Sequence, residues 1–270
     1  MEAIGTVHIE SAAFWTPTLP GWPAARAAFR GEGPLADPPA RRPAPEMLAP
    51  AERRRVPDTV ALALEVAASA VRDAGLDAGG LACIFTSAHG DLTVNDYMCS
   101  TLAAQPTAIS PTKFHNSVHN AAAGYWTIGT GCMAPSTALA AFEHSFAAGL
   151  LEAVVQCLAD DRPVLLVASD VQSVGALASV TRSDGLLAAG LVIAPAASER
   201  SIATLTVTLA EGGSGRTPLV SPAAKSLAGN AMADAVPFYE WLARDAAAPL
   251  DLPLSSALAL RLAPRPEARR

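Results

Sequence analysis

Lysine is almost missing from this chain: only Lys113 and Lys225 occur among 270 residues. Lys plus Arg total 19 against 25 Asp plus Glu, so the net charge is −6 and the pI about 5.4. No basic stripe exists to neutralise phosphates, which excludes a nucleic-acid binder living on backbone contacts. Cysteine is sparse as well. Cys83, Cys99, Cys132 and Cys157 lie far apart in apolar stretches without a C-x-x-C pair, excluding a disulfide framework and structural zinc and fitting a reducing cytoplasm. Long hydrophobic runs are lacking too: the longest, Gly185 to Ala197, carries Pro195 and falls short of the roughly 20 residues that span a bilayer. The start, Met1-Glu2-Ala3, has no basic region before an apolar stretch, and Pro20 and Pro23 follow, so no secretory signal is expected. No G-x-S-x-G elbow, phosphate-binding Walker loop or H-E-x-x-H is present.

What the chain does have is alanine and a large apolar fraction, 51% hydrophobic with 16% charged residues, enough to bury a substantial core of closely packed layers. Thr6 to Ile9 reads as a first strand within residues 3–14. The prolines from Pro17 to Pro50 suggest an irregular surface excursion. Asp58 opens a helix with Ala61, Leu64, Ala68 and Val71 at helical spacing, and Gly75 is placed to end it. Leu81 to Thr86 reads as a strand buried on both faces. Helices are expected over Leu92 to Ala104 and Phe114 to Ile128, a strand at Ser136 to Ala140, a helix from about Glu143 to Leu158 and a strand at Pro163 to Ala168. Leu186 to Ala194 and Ile202 to Leu209 suggest an antiparallel hairpin on the sheet edge. Strand and helix alternate, so the fold class is α/β with crossover connections.

Residues 1–210 form the expected main domain. Residues 211–270 read as an appended segment: a hinge at Gly212-Gly213-Ser214-Gly215, a helix from Pro222 to Ala243, a strand from Ser255 to Leu262 and a basic tail from Pro264.

Two short motifs carry little. Gly129-Thr130-Gly131 follows a helix where a dinucleotide fingerprint needs a strand. His115 and His119 stand four apart, but the sequence places no third ligand beside them, so no metal is expected.

The ordered series is more specific. Asn120-Ala121-Ala122-Ala123-Gly124-Tyr125-Trp126-Thr127-Ile128, then Pro135, the strand Ser136 to Ala140 and a helix beginning at its end resemble the core of the β-ketoacyl synthases of the thiolase superfamily. The helix ending in Ala74-Gly75-Leu76, and Ser183-Asp184-Gly185-Leu186-Leu187 before Gly190-Leu191-Val192-Ile193, resemble further segments of that family. The resemblance covers roughly residues 3–210. It implies a thiolase-like layered α/β/α half-fold with a short appended C-terminal segment.

Two departures shape the implied function. The family's cysteine nucleophile sits at the strand-to-helix elbow Phe142-Glu143-His144, and its position falls on Glu143, within one residue. The family's C-terminal half supplies two catalytic histidines, whereas all five histidines here (His8, His89, His115, His119, His144) precede residue 145. The resemblance therefore implies no catalytic residue, no cofactor and no metal. It points to a chain-length-factor-like subunit in a heterodimer with an active ketosynthase, serving fatty acid, aryl polyene or polyketide assembly with an acyl carrier protein. Ser136, Thr137, Ala138, Leu139 and Ala140 then form the subunit interface, and Tyr97, Met98, Leu102, Phe114 and Phe142 are candidate walls of an acyl tunnel. The alternatives are a stand-alone acyltransferase or thioester hydrolase using Cys132, Ser145 or Glu143 with His144, and a carrier-binding module using Arg41-Arg42 and Arg53-Arg54-Arg55.

Overall fold

A computed structural model describes residues 2–211 and 217–265; the glycine hinge at 212–215 and the tail from 266 onward lie outside the described residues. The first strand, β1 (Glu2–Thr16), is much longer than its sequence suggests, and its end pairs with the two-residue β2 (Leu19–Pro20). Helix α1 (Trp22–Arg30) follows, so the proline-rich stretch is not irregular throughout. Pro23 stands in the first turn, where no intrahelical donor is needed, and left-handed Gly31 ends the helix. After the short α2 (Pro50–Arg53), α3 (Asp58–Ala74) ends at left-handed Gly75 as its pattern predicts.

Strand β3 (Ala82–Thr86) leads to α4 (Leu92–Ala104), α5 (Pro111–His115) and α6 (Ala121–Thr130). The single helix expected over Phe114 to Ile128 is therefore two. Ser117 Oγ bonds back to the Phe114 carbonyl at 2.8 Å, and Asn116 Oδ1 accepts from Tyr125 at 3.1 Å, so local polar bonds replace the helical ladder. Then come β4 (Ser136–Leu139), α7 (Ser145–Ala159), β5 (Val164–Asp170), β6 (Leu187–Ala194) and β7 (Ala203–Glu211). The expected helix from Pro222 to Ala243 is split into α8 (Pro222–Lys225) and α9 (Val236–Ala243). Asn230 interrupts it, donating to the Asp184 carbonyl at 2.9 Å and accepting from Met232 N–H at 2.9 Å. Two strands close the chain, β8 (Leu250–Pro253) and β9 (Leu258–Pro264).

The sheet runs in the order β4-β3-β5-β6-β1-β7-β9-β8. β4, β3 and β5 are parallel and the remaining pairs antiparallel. β6 and β7 are strands where expected, but they do not form an edge hairpin: β1 lies between them and pairs with both. Fifteen residues give β1 two full edges of donors and acceptors, and placing it centrally satisfies both.

Side chains alternate across this sheet, apart from register shifts in β1, which makes three layers. Ala82, Ile84, Val164 and Leu166 face α7, α1 and α9; Cys83, Phe85, Leu165 and Val167 face α3 and α6. Elements after residue 217 join the first of these cores. β9 pairs with β7, while Phe238 and Tyr239 of α9 pack on Phe146, and Tyr239 also on Phe14. The fully buried Tyr239 hydroxyl donates to the Gly190 carbonyl at 2.8 Å. Among the described residues, no helix is long and apolar enough to cross a membrane.

Candidate functional site: the strand-to-helix elbow

The topology itself marks one place. From β3 the chain crosses by way of α6 to β4 at one edge, then returns over the opposite face through α7 to β5 on the other side of β3. Where successive crossovers diverge, the carboxyl ends of the parallel strands open a crevice. The turn from β4 into α7 and the loop after β3 both lie there.

That turn is tight. Ser145 Oγ donates to the Phe142 carbonyl at 2.7 Å and accepts from Ala141 N–H at 3.0 Å, which closes it. Phe142 carries φ +52°, the left-handed region, where a bulky side chain is a steric outlier. The other non-glycine residues with positive φ among those described, Asp161 and Asp245, follow the ends of α7 and α9, a position where a short polar residue is ordinary. Phe142 has no such excuse, and the residue is 60% exposed. It meets the His89 ring edge to face, with centroids 5.5 Å apart.

His89 belongs to the loop after β3, and burial pushes its pKa down, favouring the neutral ring. Asp170, at the end of β5, holds that loop. Its carboxylate, 1% exposed, accepts from Ser87 Oγ at 2.8 Å, Ala88 N–H at 2.8 Å and His89 N–H at 3.3 Å. Desolvation pushes the Asp170 pKa up to about 6 despite these bonds. His119 Nε2 meets the Ser87 carbonyl at 2.9 Å, while His115 meets the Tyr125 ring edge to face, so the two histidines share no helix face.

The amino end of α7 is where a thiolate or an oxyanion would find backbone donors. Here Asp234 Oδ2 already accepts from Phe146 N–H at 2.8 Å and from Ala147 N–H at 3.4 Å. Neither Asp234 nor Asp170 was singled out by sequence: Asp234 reaches back across 88 positions, and no local pattern announces such a contact. Glu143 is exposed, 3.9 Å from His144 Nε2. The Ser145 hydroxyl is engaged inside the turn, and buried Cys132 points its Sγ at the Leu81 carbonyl, 3.4 Å away. The Ser145 hydroxyl and the Cys132 thiol are thus each bonded to a backbone carbonyl. The cavity behind the loop, lined by Thr86, Ser87, Asp91 and His119, holds about 30 Å³, room for a water and not for an acyl group.

β4 bonds to β3 alone, leaving its far edge open among the described residues. Cys83 N–H donates to Pro135 O and Ser87 N–H to Leu139 O, so Pro135, Thr137 and Leu139 turn their backbone toward β3. The backbone groups of Ser136, Ala138 and Ala140 therefore point outward. Ile128 on α6 and Met133 in the loop that leads into β4 are exposed. Of the five tunnel candidates, only Phe142 is at the elbow. Tyr97, Met98 and Leu102 lie on α4 and Phe114 on the adjoining α5, with the Tyr97 hydroxyl accepting from Ser110 N–H at 3.0 Å. In the basic segment, Arg42 pairs with Asp58 at 2.6 Å and Arg53 holds the Glu46 and Leu48 carbonyls, leaving Arg41, Arg54 and Arg55 as the exposed cations.

Comparison with known proteins agrees with this fold. The family model described as beta-ketoacyl synthase, N-terminal domain, matches residues 28–235. The fold is similar to that in a ketosynthase (ApeO) in complex with its chain length factor (ApeC) from Xenorhabdus doucetiae, with TM-score 0.72, 22% identity, and coverage of 96% of this chain and 99% of that one. It is also similar to the ishigamide ketosynthase/chain length factor, with TM-score 0.70, 15% identity and coverage of 96% and 99%. A third similar structure is AntDE:AntF, a type II polyketide synthase acyl-carrier protein in complex with its ketosynthase bound to the hexaketide, with TM-score 0.70, 10% identity and coverage of 97% and 99%. Comparison with curated proteins gives no match.

Proposed function

The chain belongs to the β-ketoacyl synthase N-terminal-domain family, and from that premise we propose that it is a non-catalytic, chain-length-factor-type subunit that pairs with an active ketosynthase. The observation that carries this reading is the elbow. Its left-handed position holds Phe142, followed by Glu143 and His144, so no thiol stands where an acyl thioester would form. The backbone donors of α7 that would hold an anion there are given to Asp234. A glutamate or phenylalanine side chain cannot form the thioester on which condensation depends.

The partner is an active ketosynthase subunit, and the contact is the open edge of β4, with Ser136, Ala138 and Ala140 offering backbone groups to an equivalent strand. An unpaired strand edge is a surface that pairing would cover. The substrate class is an acyl chain delivered by an acyl carrier protein in cytoplasmic fatty acid, aryl polyene or polyketide assembly. The similar structures with chain length factors and with a carrier protein support that choice. Co-expression with a cognate ketosynthase tests it. One stoichiometric complex by size-exclusion chromatography and light scattering is expected; a chain that purifies alone as a stable, unassociated monomer in the ketosynthase's presence would overturn the proposal.

A further inference from the structure

A cavity of about 260 Å³ opens where the end of β1 and the start of α1 meet the middle of α3. β1 stands four strands along the sheet from β4, so this cavity belongs neither to the elbow nor to the open edge. Two unmet groups line it. Trp15, at the end of β1, is only 5% exposed, yet its indole N–H makes no hydrogen bond among the described residues. A donor so buried calls for an acceptor. Glu65 on α3 is half-buried and likewise has no hydrogen bond or ion pair among the described residues. Arg72, on the same wall, is given instead to its neighbour Asp73 at 3.2 Å. A carboxylate drawn partly out of water without a cation calls for one. Glu65, Ser69 and Arg72 follow at spacings of four and three, which puts them on one face of α3, the face turned to the cavity.

The other walls separate the two ends of a ligand. Trp15 pairs with Pro20, and the next residues, Gly21 and Trp22, bring the amino end of α1 to the cavity without a side-chain cap. The unpaired N–H groups of that first turn favour an anion beside the Trp15 donor, across from Glu65. The Trp22 ring, held edge to face on Tyr239 at 5.7 Å, adds a fixed aromatic wall. We propose that this cavity binds a free α-amino acid with a large apolar side chain: its ammonium on Glu65, its carboxylate on the Trp15 indole N–H and the amino end of α1, and its side chain against Trp22. A simple amine leaves Trp15 unmet and a simple acid leaves Glu65 unpaired; a zwitterion answers both.

Isothermal titration calorimetry on the full chain tests this, with L-phenylalanine and L-leucine as probes and phenethylamine and 3-phenylpropionate as one-ended analogues. Saturable binding of at least one amino acid at a single site is expected, with both analogues weaker by about tenfold or more. Glu65→Gln removes the charge at a partly exposed position and should weaken binding by about tenfold or more. Trp15→Phe keeps a ring without the donor and should weaken it by about fivefold. Ser69→Leu fills the cavity from the same helix face and should abolish binding, with thermal unfolding showing that each variant is folded. Should Trp15→Phe not fold, the two α3 variants carry the test. Absence of binding by either amino acid would overturn the proposal, as would binding that Glu65→Gln and Ser69→Leu leave unchanged. Phenethylamine or 3-phenylpropionate binding as tightly as the amino acid would overturn it too, by removing the need for one of the two ends.

Discussion

The buried carboxyl of Asp170 offers the most quantitative check on how the elbow is held. Its folded-state pKa is pushed up to about 6, against an ordinary value of 3.8 for the unfolded chain. The folded protein therefore binds this proton more tightly than the unfolded one. Stability from this group rises as pH falls through about 6 and stops rising below about 3.8; above about 6 the full penalty of the buried charge is present. These two constants give on the order of 1 kcal/mol of added stability between about pH 7.5 and about pH 5, within a limiting difference of about 3 kcal/mol. Asp170→Asn removes the titration while keeping the shape. Urea unfolding of both proteins at the two pH values isolates the effect, because every other titrating group is shared. Wild type should gain on the order of 1 kcal/mol over the variant on acidification. A difference that does not move with pH, or that shrinks, would refute the assignment of Asp170 as a desolvated acid holding the His89 loop.

Three other substitutions follow from the same geometry. Asp234→Ala takes the acceptor from Phe146 and Ala147 N–H at the start of α7 and should lower unfolding stability by about 1–2 kcal/mol; no change by urea titration would mean that the cap is not formed. Tyr239→Phe deprives the buried Gly190 carbonyl of its donor and should cost about 1–2 kcal/mol with no effect on association, read by thermal unfolding and sizing together. Ala138→Pro removes an outward N–H of β4 and should abolish association with a ketosynthase while sparing the monomer's circular dichroism. Thr137→Pro strikes the β3-facing side and should instead destabilise the monomer.

Much of the layered fold was legible because its parallel core is written locally. Asp58 to Gly75 shows helical spacing with a glycine stop, and Val164 to Ala168 is an apolar run that a doubly covered strand requires. The errors lie where distant segments decide. Nothing in Leu187–Ala194 or Ala203–Glu211 says that β1 will enter between them, since the pairing is set across most of the chain. The breaks near Asn116 and Asn230 come from side-chain bonds that compete with the helix, and those bonds need partners that local periodicity does not reveal. At the elbow, the resemblance to the family pointed to Glu143, next to the left-handed Phe142. The left-handed turn at Phe142, the His89 ring behind it and the Asp234 carboxylate over α7 are products of tertiary contact, and so is the role of α9 in filling one face of the sheet.

The central claim is that this subunit carries no acyl group of its own. Incubating the purified complex with an acyl thioester and measuring the intact mass of each chain tests it most directly. The account predicts an acyl adduct on the ketosynthase and none on this chain, in wild type and in Glu143→Ala alike; a stable adduct on any residue of this chain would contradict it.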